Sequence, residues 1–266
     1  MTAPPNGGAA ARPEGGSRQV DARAVFVSGG TRGMNLAIAR RFAAEGARVA
    51  VMSRDPERCA RAAESLGAGA LGLPGDARDF ERVQSVLAQV SAAFGPLDVV
   101  VAGQAGNFYA PAATMTSGGF RAVVDIDLVG TFHVFRAAFD VARRPGASFI
   151  AISAPEAVRP LPYQAHVCAA KAAVNMLCKC LALEWGPAGV RVNAISPGPI
   201  AGSWGMEQVI GPERGEKIRR VLPLRRWGTE KDVADAAFFL ASEAAGYVTG
   251  TVLDVDGGAA FAMPDG

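Results

Sequence analysis

The chain has 266 residues, half of them hydrophobic, and a formal net charge of +2 at pH 7. That length and apolar content suit one large domain with an ample core, and so small a charge gives no reason to expect nucleic acid or a membrane as partner. No apolar run approaches the roughly 20 residues that cross a bilayer. Residues 1–22, rich in Pro, Gly, Ala and Arg, lack the apolar centre of a secretory signal and read as a disordered leader before a domain over 23–266.

In chain order, strand 24–28 runs into the Gly-rich turn Gly29-Gly30-Thr31-Arg32-Gly33-Met34-Asn35, which opens a helix over 36–45. Such a turn brings bare backbone N–H groups and a helix N-terminus up to a phosphate. Strand 48–52, helix 56–65, strand 70–74 and helix 81–93 follow. Strand 99–102 precedes a long helix over 120–143, and strand 148–153 precedes another over 165–185. Strand 191–196, helix 231–240 and strand 252–255 complete the series. Gly46, Gly95, Gly146 and Gly186 fall where helices should stop. This alternation predicts an α/β fold, a doubly wound parallel sheet of about seven strands with helices on both faces. The ligand crevice should lie at the strand C-termini.

Segment 198–226 breaks the alternation and holds Gly202, Gly205, Gly211, Pro212 and Gly215. It reads as a lid over the site or as a surface excursion. Cys59, Cys168, Cys178 and Cys180 show no metal-ligand spacing, and Cys178 and Cys180 point apart on a predicted helix. Reduced thiols in a cytoplasmic protein are expected.

The second strand ends in Ser53-Arg54, where an NAD site would want a carboxylate for the ribose 2′-hydroxyl. A guanidinium there suits a 2′-phosphate, and Arg32 in the turn is placed to clamp the same group, so NADPH/NADP+ is the expected cofactor.

The turn Ser28 to Asn35 resembles the TGxxxGxG motif of the short-chain dehydrogenase/reductase superfamily, a Rossmann-fold group, with Asn35 replacing the third glycine. Gly75-Asp76-Ala77, Asn193 to Ile200 and Gly250 to Gly258 resemble its later motifs in order and spacing, so the resemblance covers residue 24 to about 258. It implies a cofactor site built from Ser28, Gly29, Thr31, Arg32, Gly33, Met34, Ser53, Arg54, Asp76, Ala77, Ala102, Gly103, Lys171, Pro197, Gly198 and Ile200.

Most such enzymes carry a Ser-x12-Tyr-x3-Lys arrangement, in which the lysine binds the nicotinamide ribose and the tyrosine exchanges a proton with a carbonyl oxygen. Lys171 fits the lysine, but Val167 stands at the tyrosine position and Ala154 at the serine. Ala105 to Phe108, Asp125 to Phe132, His166-x4-Lys171 and Gly198 to Gly202 resemble the 2,4-dienoyl-CoA reductase branch, especially its peroxisomal members. That branch also has an apolar residue for the tyrosine and an aspartate at the position of Asp127. It passes hydride from NADPH to the far end of a conjugated thioester, and the dienolate is then protonated on carbon. The resemblance implies that Asp127 and Lys171 hold a water that relays the proton, since an ionised carboxylate alone would repel the developing oxyanion.

Other residues carry two readings each. Asp127 is otherwise a structural helix residue, and Tyr163 is a substitute acid or a loop or interface aromatic. His166 is a helix-start residue facing a neighbouring subunit or a catalytic one, with the first expected; Ser153 is expected on a strand pointing away, and Glu156 without a role. Ala102-Gly103-Gln104 replaces an Asn-containing run and is expected to alter the nicotinamide edge. Trp204 and Met206 shape an acyl tunnel or form lid core, and Arg219, Arg220, Arg225 and Arg226 meet acyl-CoA phosphates or form a solvated face. The alternatives to a thioester reductase are an atypical carbonyl reductase or alcohol dehydrogenase, and an NADP(H)-binding protein without redox turnover. A homo-oligomer, tetramer or dimer, is expected through the two long helices; Phe132, Phe135, Phe139, Val174 and Leu177 are compatible with such a face and equally with core packing.

Overall fold

The computed structural model describes residues 23–203 and 212–262. The expected leader and the lid residues Trp204, Gly205, Met206 and Gly211 lie outside them. Seven parallel strands form one sheet in the order β3-β2-β1-β4-β5-β6-β7. They are β1 (Ala24–Ser28), β2 (Arg48–Ser53), β3 (Leu71–Pro74), β4 (Val99–Ala102), β5 (Ser148–Ile152), β6 (Arg191–Pro197) and β7 (Val252–Val255). The chain builds outward from β1 to β3 and then crosses back to β4. The switch point between β1 and β4 opens a crevice at their C-terminal ends.

The helices are α1 (Gly33–Ala44), α2 (Pro56–Leu66), α3 (Phe80–Phe94), α4 (Ser117–Val124), α5 (Gly130–Val141), α6 (Ala165–Trp185), α7 (Pro212–Val221) and α8 (Glu230–Ala241). The central strands are buried throughout, as strands covered on both faces must be. Period-two alternation divides their side chains between two cores. Phe26, Val100 and Phe149 join α3, α5 and α6 on one face; Val25, Val27, Val101 and Ile150 join α1 and α8 on the other.

Three features depart from the sequence reading. The helix expected over 120–143 is α4 and α5 joined by a π-helical turn, Asp125–Val129, in which Gly130 N–H donates to the Asp125 carbonyl. One extra residue in a turn leaves the apolar spacing almost intact, so periodicity cannot report it. Segment 198–226 contains α7, which the sequence hides because it is strongly polar and carries Gly215. Finally, α6 is long and apolar enough to cross a membrane by length and composition, contrary to the reading that no run comes near. Its Val174, Cys178 and Leu181 instead fill the protein's own core.

The apolar positions of the two long helices that suited either an interface or the core also divide. Phe135 and Val174 are fully buried within the chain, and Phe139 stacks on Trp185 with ring centroids 4.5 Å apart. Phe132 remains exposed, together with Met176 and Leu183 on α6.

Candidate active site

The Gly-rich turn meets the crevice with its backbone bare. Gly29 adopts φ +70°, and a Cβ there would lie 2.8 Å from the Gln104 nitrogen, so only glycine lets the two loops approach. The N-termini of α2, α3, α4 and α8 are capped by Asp55, Asp79, Thr116 and Thr229. Like α5 and α6, α1 has neither a side-chain cap nor an acidic residue in its first turn, and its start follows the Gly-rich turn. Its uncapped N–H groups and positive dipole end therefore suit an anionic group such as a pyrophosphate.

Arg32 and Arg54 are exposed beside this turn, and neither forms an ion pair with a described residue. The Ser53 hydroxyl turns toward Cys59, Oγ to Sγ 3.3 Å. Asp76 is held by Arg78 through a bond of 2.6 Å. The Arg78 guanidinium keeps that carboxyl below the ordinary carboxylate range, against the opposing effect of burial. Ala77 is buried, and Thr31 and Met34 are half-buried. On the far side, Gly198 lies against Asp256 and Ile200 is buried against Gly228.

Asn35, in place of a glycine, ties the start of α1 to the loop after β4. Its amide donates to the Gly103 carbonyl at 2.6 Å, and its side chain fills the space a side chain on residue 103 would need. The two unusual positions form one unit that fixes the loop after β4 beside Ala102, Gly103 and Gln104.

That loop leads to Asp127 and Lys171, only 1% and 5% exposed. Lys171 Nζ stands 3.1 Å from Asp127 Oδ2 and donates to the Ile152 carbonyl at the end of β5, 2.9 Å away. Gly106 N–H donates to Asp127 Oδ1 at 2.7 Å. The π turn turns Asp127 inward, and Thr131 Oγ1 donates to its backbone carbonyl at 2.6 Å. Gln104 Nε2 in turn donates to Thr131 Oγ1 at 3.1 Å. Gly106 and Thr131 were not singled out from the sequence, although both lie in segments whose resemblance was noted; Gln104 was, as part of the run that departs from an Asn-containing one.

Val167 is buried at the tyrosine position, in a small apolar cluster with Val123, Ala170 and the half-buried Phe108. His166 is fully buried within the chain, which corrects its expected place facing a neighbouring subunit. Tyr163 lies on a turn at φ +67°, 60% exposed, and its phenol makes no hydrogen bond to Asp127 or Lys171. Its carbonyl accepts from Ala110 N–H at 3.0 Å. Ser153 is buried just beyond β5, where its Oγ donates to Asn175 Oδ1 at 2.5 Å. Of the four arginines in the insertion, Arg219 and Arg220 converge on Glu216, and Arg226 pairs with Asp232. Those pairings favour the solvated-face reading over acyl-CoA binding.

The family model described as enoyl-(acyl carrier protein) reductase matches residues 29–260. The chain is 37% identical to the peroxisomal 2,4-dienoyl-CoA reductase SPS19 of Saccharomyces cerevisiae, over 89% of this chain and 83% of that protein. It is 36% identical to 3beta-hydroxysteroid dehydrogenase 1 of Eggerthella lenta, over 89% of this chain and 93% of that one. A short chain dehydrogenase structure from Bacillus anthracis superimposes with a TM-score of 0.81 at 34% identity, covering 90% of this chain and 97% of that chain. The yeast relative is named peroxisomal, as are relatives from Arabidopsis thaliana and rat, which overturns the expectation of a cytoplasmic protein. That expectation was tied to reduced thiols, whereas peroxisomal addresses are short, receptor-read segments on which cysteine usage does not bear.

Proposed function

The chain belongs to the short-chain dehydrogenase/reductase family, and we propose that within it this protein is an NADPH-dependent reductase of a conjugated enoyl or dienoyl thioester. The observation that carries this reading is the buried Lys171–Asp127 pair beside Val167. The site pairs its lysine with a buried aspartate, and an apolar Val167 stands where a ketone reductase would keep a phenol.

The uncapped start of α1 would hold the pyrophosphate, Arg32 and Arg54 the 2′-phosphate, and Lys171 the nicotinamide ribose. When bound, the nicotinamide supplies the hydride. Addition at the far end of the conjugated system moves an electron pair onto the thioester oxygen, and the carbon skeleton then takes a proton. Asp127 and Lys171 hold a water for that transfer. The water gives its proton to carbon while taking one from the Lys171 ammonium, which solvent restores after product leaves. Gly106 N–H, bound to Asp127 Oδ1, fixes the carboxylate so that Oδ2 faces Lys171. A buried ion pair is a poor stability device, since desolvation cancels much of its Coulomb gain. Its retention here fits a chemical role.

Product identity tests the reading. A 3-enoyl thioester supports it, whereas a new hydroxyl supports the second reading, a carbonyl reductase or alcohol dehydrogenase with Tyr163 as substitute acid. The likeness to a hydroxysteroid dehydrogenase favours keeping that second reading in view.

A further inference from the structure

His166 is a buried titratable group that the proposed chemistry does not use. It is the second residue of α6, next to Val167, and neither ring nitrogen makes a hydrogen bond of normal geometry. Leaving buried donors and acceptors short of partners costs stability, so native structures rarely do it without cause. Burial lowers the imidazole pKa, against the opposing pull of the Phe108 backbone and the charge of Asp127. The ring is therefore neutral at pH 7, with one N–H donor and one lone pair.

Asp127 Oδ2 is also buried, and its one charged neighbour, the Lys171 ammonium 3.1 Å away, stands outside hydrogen-bond geometry. The two groups lie behind the same segment of the loop after β4. Gly106 N–H holds Asp127, and the Phe108 ring lies over His166 with centroids 4.3 Å apart and planes at 46°. Gln164 Nε2 donates to Asn107 Oδ1 at 2.9 Å, and Ala110 N–H to the Tyr163 carbonyl at 3.0 Å, fastening the segment to the start of α6. The half-buried Phe108 ring is held there by apolar packing against Val123, Val167 and Ala170 and not by a polar tether.

We infer that His166 is a positioning residue: once Phe108 yields, its N–H donates to the water held by Asp127 and Lys171. The water then keeps both its own protons for the Asp127 carboxylate and the substrate carbon. This rests on the reading that the Lys171–Asp127 pair handles the proton.

The chain has two histidines, so the imidazole ¹⁵N signals are readily assigned, and His133, whose Nδ1 lies 3.0 Å from the Ala77 carbonyl, is the internal reference. Adding NADP+ and a saturated acyl-CoA should shift the His166 signals and leave those of His133 in place. His166→Phe keeps a ring against Phe108 and removes both nitrogens. It should lower kcat for a 2,4-dienoyl-CoA about 100-fold, the scale of losing one preorganised donor, with KM nearly unchanged. His166→Gln should recover part of that loss. Unmoved His166 signals overturn the inference without any variant, and so does a folded His166→Phe protein with the parent's kcat. A parent protein that fails to oxidise NADPH with the dienoyl-CoA fails before any variant is compared. That result removes the reading of the reaction along with this inference.

Discussion

Asn35 and residue 103 share one side-chain volume: the Asn35 amide occupies it and donates to the Gly103 carbonyl at 2.6 Å. Asn35→Gly would restore the glycine that the motif leads one to expect, yet it should destabilise this protein. It leaves the Gly103 carbonyl unpaired and a small void, for a cost of about 1–3 kcal/mol in denaturant unfolding. Gly103→Ala should also destabilise, because its methyl meets the Asn35 side chain. The double variant should lose less than the sum of the two, the mark of coupled neighbours.

The Lys171–Asp127 pair separates stability from chemistry. Lys171→Met alone strands a buried carboxylate and should cost about 3–5 kcal/mol. Lys171→Met with Asp127→Leu removes both charges and should recover much of that stability while remaining inactive. Thermal melting and turnover on the same two proteins check this; activity in the double variant would sink the proposed role of the pair.

The proposed preference for NADPH assigns the 2′-phosphate to Arg54 and Arg32. Arg54→Ala should weaken NADPH binding about 10- to 100-fold, the worth of a charge-assisted phosphate contact, and leave NADH binding nearly unchanged. Titration of each nucleotide by protein fluorescence distinguishes the two. Equal losses for both would show that Arg54 does not read the 2′-phosphate.

The cysteines on α6 give a check on the fold itself. Burial pushes the Cys178 thiol up to about 12, whereas Cys180 is exposed. A thiolate-directed alkylating agent at pH 8 should label Cys180 in the native protein and reach Cys178 only after denaturation. Equal native labelling would contradict the packing of α6.

Much of this architecture was legible from alternation alone. β1, β4 and β7 fall on the expected spans, and α6 begins and ends where its apolar spacing does. Lys171 and Asp127 were found by resemblance, since spacing could mark them as unusual but could not bring them together. What stayed hidden depends on a single inserted residue or on long-range packing. The π turn that directs Asp127 inward leaves the helical pattern intact. The burial of His166 is decided by Phe108, 58 positions earlier. The exchange of Asn35 for a side chain at 103 looks, in the sequence, like two unrelated departures. Nor could α7 be read from a polar segment carrying a glycine.

The most direct test of the central claim is to mix the purified protein with NADPH and a 2,4-dienoyl-CoA and follow both absorbances. The account predicts loss of one dienoyl chromophore for each NADPH oxidised, abolished by Asp127→Ala. Intact absorbance of both, in a protein shown to bind NADPH, would contradict it.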